Sequence, residues 1–322
     1  MQDKIFNIQN EIEFEKLALD MFDYQIKTNQ VYADYATLIL KGLKPINIYE
    51  IPFLPIHFFK TEQIICKGRA VEEIFLSSGT TGDQSKHLVS DISMYQKSYV
   101  KSFELFYKAI SEYCILSLLP NYRERGGSSL IYMVDDLILK SNHPQSGFYL
   151  NNYEGLSNIL QELEEKGQKT ILFGVSYALL ELAEQFPQSL KKTIIIETGG
   201  TKGKTKDIIK EELHMRLKSV FSLEKIHSEY GMTELLSQSY SKGDGIFKSP
   251  SWKKVLIRDI NDPLSIIGDN KTGGINIIDL ANIYSCPFIA TEDLGKTFND
   301  GSFSVLGRFN NADIRGCNLL IQ

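Results

Sequence analysis

Cysteine is scarce in this chain: Cys66, Cys114, Cys286 and Cys317 are spread over 322 residues, and no two form a Cys-x-x-Cys pair. That spacing argues against a disulfide framework or a thiolate zinc site. The usage fits a reducing cytoplasm. A basic excess is also lacking. Thirty-five Lys and Arg against 40 Asp and Glu leave a net charge of −5, so the electropositive footprint of a general nucleic-acid binder is absent. A local basic pocket for one phosphate ligand is still compatible. Long apolar runs are missing too. The most apolar window, 171–183, is interrupted by Gly174 and is shorter than the roughly 20 residues that span a bilayer. The amino terminus, Met1-Gln-Asp-Lys-Ile-Phe-Asn, has neither the basic start nor the apolar core of a signal peptide. No internal repeat or low-complexity segment is visible. The expectation is a soluble cytoplasmic protein with no membrane span and no nucleic-acid partner.

What is present is ordinary globular material. Hydrophobic residues make up 43% and charged residues 23%, which excludes collagen and wholesale disorder. At about 150 residues per domain the length allows roughly two domains or one large one.

Residues 8–41 have apolar positions near helical spacing, and Pro45, Pro52 and Pro55 end that pattern. From residue 71 strands and helices alternate. Strands are expected at 71–76, 114–119, 170–173 and 193–197, and helices after Asp91 to about 113, then at 154–166, 176–185 and 204–220. Alternation of this kind predicts an α/β domain with a largely parallel sheet. Beyond Tyr230 short strands at 253–260, 273–279, 286–291, 302–307 and 313–321 predict a β-rich part. The expected division is a helical N-terminal segment, 1–60, an α/β nucleotide-binding core, 61–235, and a β-rich subdomain, 236–322.

Three segments carry chemistry. Ser77-Ser78-Gly79-Thr80-Thr81-Gly82-Asp83-Gln84-Ser85-Lys86 follows the first of these strands. Its glycines can turn backbone N–H groups inward as an anion nest, its hydroxyls add donors, and Lys86 adds a point charge. That chemistry suits a polyphosphate. The alternative is an ordinary Ser/Gly turn.

Gly199-Gly200-Thr201-Lys202-Gly203-Lys204-Thr205 imitates a Walker A loop but is one residue too short before its Gly-Lys-Thr. It is either a tight turn near a flat ligand or a plain helix start. In Glu229-Tyr230-Gly231-Met232-Thr233-Glu234, Glu234 could hold a hard cation through oxygen, and Gly231 permits close approach beside the Tyr230 ring. A surface turn with a solvated glutamate is the alternative. The histidines, His57, His87, His143, His214 and His227, show no metal-ligand spacing.

In this order, and followed by Thr291-Glu-Asp293-Leu-Gly and Gly307-Arg308, these motifs resemble the adenylate-forming enzymes, which include acyl-CoA synthetases and peptide-synthetase adenylation domains. Within them the chain looks most like acyl-protein synthetases of the LuxE type, and next most like phenylacetate-CoA ligases. Phe58-Phe59-Lys60, Lys86-His87 and Arg315-Gly316-Cys317 carry that closer likeness. The resemblance implies the large-domain fold of these enzymes, with parallel-rich sheets flanked by helices and a β-rich C-terminal part. The small mobile C-terminal domain is expected to be absent, and with it the usual adenylation lysine. Lys60, Lys202 and Lys204 are candidates to replace it.

The resemblance also implies roles. Ser77 to Lys86 would enclose the ATP phosphates. Gly199, Gly200 and Thr201 would turn beside the adenine, and Tyr230 would stack on it. Thr233 would contact the α-phosphate, Glu234 would hold Mg²⁺, Asp293 would accept from the ribose hydroxyls, and Arg308 would contact ribose or phosphate. The implied reaction is ATP-dependent activation of a carboxylic, fatty-type acid to an acyl adenylate, followed by transfer to a thiol. Cys317 matches the family's acyl-carrying cysteine. Arg315 beside it would favour the thiolate, although Cys317 is equally a small apolar residue of a terminal strand. The final acceptor would be a partner protein, a carrier protein or coenzyme A. An aryl- or acyl-CoA ligase, a P-loop-like NTPase and a non-catalytic nucleotide-binding protein are the competing readings.

Overall fold

Two asparagines organise the first helices. Asn10 caps α2 (Glu11–Thr28), its side chain accepting the N–H of Glu13 at 3.0 Å. Asn29 ends α2, donating its N–H to Gln25 O, and starts α3 (Gln30–Leu40) by accepting the N–H of Tyr32. The helical stretch expected at 8–41 is therefore two helices. The break at Asn29 is held by side-chain bonds to Gln25 Oε1 at 2.9 Å and to Ser285 O at 2.8 Å.

The computed structural model describes residues 2–78, 84–120, 126–199 and 209–309. They fall into two units, one formed by the residues up to Ala70 with those from Ser251 on, the other by Val71–Pro250. A four-residue helix, α1 (Gln2–Ile5), precedes α2, and β1 (Leu54–Pro55) and α4 (Phe58–Thr61) follow α3.

The second unit contains β2 (Glu73–Leu76), β3 (Lys86–Val89), α5 (Ile92–Tyr107), β4 (Cys114–Leu118), α6 (Ser129–Ser141), β5 (Gly147–Phe148) and α7 (Tyr153–Glu165). It continues through β6 (Thr170–Gly174), α8 (Ser176–Gln185), β7 (Thr193–Glu197), α9 (Lys210–Phe221), β8 (His227–Tyr230), β9 (Ser239–Ser241) and β10 (Ile246–Lys248). The chain then returns to the first unit with β11 (Lys253–Arg258), β12 (Ile266–Ile267), β13 (Thr272–Asp279), β14 (Phe288–Thr297) and β15 (Phe303–Arg308).

In the second unit β5, β4, β6, β7 and β8 lie side by side and parallel, and β9 and β10 continue the order antiparallel. All five residues of β4 and of β6 are buried. Strands covered on both faces read as unbroken apolar runs, and β4, β6 and β7 appear within a residue of the expected strands. Leu116, Leu172 and Ile195 of these strands pack with Leu160 of α7, Leu179 of α8 and Leu217 of α9. Each such buried side chain contributes roughly 1.5–3 kcal/mol. The strand β2 does not join this sheet. It pairs antiparallel with β3, so Lys86, expected within a phosphate loop, begins a strand opposite Leu76. The helix α6, not foreseen from the sequence, fills 129–141 with Ile131, Val134 and Leu137 buried. Of the helix expected at 204–220, the described part is α9, and the strand expected at 313–321 lies outside the described residues.

In the first unit β12, β11, β13, β14 and β15 form an antiparallel sheet in that order, with β1 parallel to β14. The buried face of α2 reaches the turn before β14, where Gln25 Nε2 donates to Ile283 O at 2.7 Å. The Tyr32 ring lies between Phe22 and Phe288, and its hydroxyl donates to Pro52 O at 2.8 Å.

Candidate functional site

The hairpin β2–β3 closes the Ser/Thr/Gly segment. Ser77 N–H donates to Ser85 O and Ser85 N–H donates back to Ser77 Oγ, both at 3.0 Å. Gln84 Nε2 donates to Ser77 O at 2.8 Å. Ser77 Oγ thus accepts one bond from the backbone of Ser85. Ser78 and Lys86 are exposed. Gly79, Thr80, Thr81 and Gly82 lie outside the described residues.

His87, the next residue of β3, is fully buried. Its Nδ1 lies 2.8 Å from the carbonyl oxygen of Thr233, 146 residues away. A carbonyl only accepts, so the proton sits on Nδ1 of His87. This bond fastens the strand after the first motif to the Tyr230–Glu234 segment. Two motifs from opposite ends of the unit thereby meet.

Tyr230 ends β8, buried, with its ring 5.8 Å from that of Phe247. At Gly231 an added Cβ would come 2.4 Å from Glu229 Oε1, so the backbone passes the Glu229 carboxylate more closely than a side chain allows. Thr233 is half-buried, and the Glu234 side chain is buried at 5% exposure. Among the described residues no group of three or more His, Cys, Asp or Glu forms a metal cage. A single buried carboxylate is nonetheless what a Mg²⁺ carried on a nucleotide uses, since that ion keeps most of its shell as water and phosphate oxygen. Glu234 fits that requirement.

The strand β7 adjoins β8 and ends in a residue the sequence reading did not single out. Glu197 Oε1 accepts the N–H of Gly199 at 2.6 Å and the hydroxyl of Ser176, the first residue of α8, at 3.0 Å. Its Oε2 lies 3.6 Å from Lys210 Nζ and 4.0 Å from His214 Nε2. Burial alone would raise its pKa, but His214, Lys210, Ser176 and the Gly199 N–H together hold it down at about 2. Gly199 has φ +70°, a left-handed conformation that side chains resist. The one hint in the sequence was a lone acid closing the run Thr-Ile-Ile-Ile before two glycines. Gly200, Thr201, Lys202 and Lys204 lie outside the described residues. Glu197 and Tyr230 end neighbouring parallel strands, the edge at which α/β sheets bind ligands.

In the first unit, Asp293 of β14 and Arg308 of β15 are register partners. Arg308 Nε donates to Asp293 Oδ1 at 3.3 Å, with Asp293 buried and the Arg308 side chain 69% exposed. Beside them Arg258, also unforeseen, donates to Ile275 O, Asn276 Oδ1 and Thr291 O at 2.6–2.8 Å. Burial pulls its pKa below the usual arginine value. Lys60 lies on α4, exposed. Cys66, Cys114 and Cys286 are buried, as expected of core residues, and Cys317 lies outside the described residues. Among the described residues no helix is long and apolar enough to cross a membrane.

No family model matches the chain, and no curated protein matches its sequence. Solved structures do match its fold. ATP-bound MatB from Rhodopseudomonas palustris is 15% identical with a TM-score of 0.56, over 73% of this chain and 47% of that one. An ATP-bound MatB chimera is 15% identical with a TM-score of 0.57, over 76% and 49%. An open conformation of a 2-hydroxyisobutyryl-CoA ligase, solved with 2-HIB-AMP and CoA, is 10% identical with a TM-score of 0.63, over 93% and 70%. The architecture is therefore the mixed α/β fold that these structures share. The chain spans about half the length of the MatB structures it matches.

Proposed function

We infer that the protein is an adenylate-forming ligase, which joins a carboxylic acid to AMP at the expense of ATP and then passes the acyl group to a thiol. The observation that supports this reading is the 2.8 Å bond between His87 and Thr233, which fastens the strand that Lys86 begins to the Thr233–Glu234 segment. An NTPase loop at 199–205 would need neither motif.

In this reading a carboxylate oxygen of the acid attacks the α-phosphorus. The new O–P bond forms as the bond to the β-phosphate oxygen breaks, and pyrophosphate leaves with the electron pair. Negative charge grows on the phosphoryl oxygens, and preorganised donors lower the barrier. Lys86 supplies positive charge, and the Thr233 hydroxyl and the Ser77 and Ser78 donors supply hydrogen bonds. Glu234 would hold Mg²⁺, which neutralises phosphate charge when bound. Asp293 would accept from the ribose hydroxyls as a carboxylate does from a vicinal diol, with Arg308 beside it. The Gly199 turn and Tyr230 would flank the adenine. In the second step a thiolate attacks the acyl carbon and AMP leaves. The thiol is that of Cys317 by the resemblance to acyl-protein synthetases, with coenzyme A as the alternative acceptor. That resemblance taken alone implies a fatty acyl chain, and the reading as a ligase does not depend on it.

Acid-dependent exchange of labelled pyrophosphate into ATP tests the reading. Exchange that needs a carboxylic acid, and weakens in Glu234→Ala, is expected. ATP cleavage to ADP without exchange would instead support the NTPase.

A further inference from the structure

Resting on the ligase reading, we propose that the buried polar layer between α5 and the 237–240 segment is the subsite for the acid's acyl group, and that it selects an acid bearing a hydroxyl or N–H group over an unsubstituted long-chain fatty acid. Ser98, Ser102 and Phe106 follow one another at four-residue spacing, so they share one face of α5. Both ends of that stripe are pinned to the same segment. Ser98 Oγ lies 3.0 Å from Ser237 Oγ, and the Phe106 ring lies 5.2 Å from that of Tyr240. Ser102, midway along the stripe, therefore faces the residues between Ser237 and Tyr240. That segment begins three residues after Glu234, next to the proposed reaction centre.

The layer is buried but not apolar. Ser102, Gln238 and Tyr240 are exposed by 0%, 4% and 1%. Ser102 Oγ, Gln238 Oε1 and the Tyr240 hydroxyl have no hydrogen-bond partner among the described residues. Buried polar atoms are almost always paired, so three orphans in one layer call for a ligand that pairs them. Glu229, the register partner of Tyr240, adds a carboxylate nearby. Burial, then the Glu229 charge, push the Tyr240 phenol well up, so it stays a donor.

The chemistry of each orphan defines the ligand. Gln238 Oε1 can only accept, so the ligand must bring an O–H or N–H. The Ser102 and Tyr240 hydroxyls donate to, or accept from, a hydroxyl or carbonyl oxygen. An alkyl chain offers none of these. A site built to bond a substrate hydroxyl rejects the analogue lacking it strongly, by about 10⁴-fold or more where the match is complete.

Matched acids test this: hydroxybenzoates against benzoate, hydroxyhexanoates against hexanoate, and palmitate, each by pyrophosphate exchange and by calorimetric binding to the full chain without ATP. At least one hydroxylated acid should exceed its unsubstituted partner by about tenfold or more in kcat/KM. Ser102→Ala, Gln238→Leu and Tyr240→Phe, checked for unchanged thermal melts, should each shrink that ratio. Palmitate as the best substrate overturns the proposal. So do ratios that stay fixed in all three variants, which is the result if the layer holds only water. If no acid supports exchange, the ligase reading fails separately. The subsite itself then stands on binding of a hydroxylated acid that Tyr240→Phe weakens, and falls if none binds.

Discussion

Gly199 donates its backbone N–H to the Glu197 carboxylate across 2.6 Å, from a left-handed turn at φ +70°. The carboxylate thus fixes the start of the loop that follows β7 while lying buried between Ser176, Lys210 and His214.

Glu197 has a folded pKa of about 2, below its ordinary value of 4.5. A depressed carboxylate contributes stability above the unfolded pKa and loses it as pH falls through the folded one. Stability should therefore decline from about pH 4.5 to about pH 2 by on the order of 3 kcal/mol from this group. Urea titrations of Glu197→Gln should show a shallower slope over that window. An identical slope would mean the carboxylate does not hold the turn.

His227 should act in an earlier window. Burial first, then Lys242 and Lys225, bring its pKa down to about 4 from 6.5. Its Nδ1 lies 3.2 Å from the Tyr107 hydroxyl. The unfolded chain binds this proton first as pH falls, so stability drops from about pH 6.5 to about pH 4. His227→Gln should flatten that part of the curve while leaving the Glu197 window in place.

The His87 bond should matter to both stability and exchange. Replacing His87 by Leu keeps bulk but leaves the Thr233 carbonyl without this partner, at a cost of roughly 1–3 kcal/mol. Urea denaturation should report the loss. Pyrophosphate exchange should fall with it, since Thr233 and Glu234 then lose their anchor to β3.

Asp293 and Arg308 separate stability from binding. With Arg308 mostly exposed, their ion pair contributes at most about 1 kcal/mol. Arg308→Ala should melt within about 4 °C of the parent. Asp293→Asn should raise the KM for ATP by about tenfold through the lost charged acceptor, and the KM for the acid far less. Equal changes in both would point to general distortion.

Cys317 is tested by elimination. Burial raises the thiol pKa of Cys66 and Cys286, and that of Cys114 to about 11, so all three stay protonated and enclosed. An acyl mass gained on incubation with ATP and acid should then sit on Cys317 and vanish in Cys317→Ala. If that variant still gains it, the enzyme-cysteine route is wrong. If neither form gains it while acyl-CoA forms, coenzyme A is the acceptor.

Parts of this fold could be read in advance for a physical reason. Strands β4, β6 and β7 are buried on both faces, so their apolar runs identify them locally. The signal for the helix α6 was legible too, since its buried Ile131, Val134, Leu137 and Ser141 recur at helical spacing and Ser128 caps it, yet the sequence reading missed it. The split at Asn29 escaped because it depends on Gln25 and on Ser285, 256 residues away.

The sequence by itself determined the order of the Ser/Thr/Gly, Gly-Gly-Thr and Tyr-Gly-Met-Thr-Glu segments, because glycine, hydroxyl and carboxylate chemistry is written locally. Only the tertiary structure decided that His87 reaches Thr233, that Glu197 is an ionised buried anchor, and that Ser98 and Phe106 of α5 meet Ser237 and Tyr240. Those relationships depend on which distant side chains share a desolvated space, and packing of the whole unit creates that space.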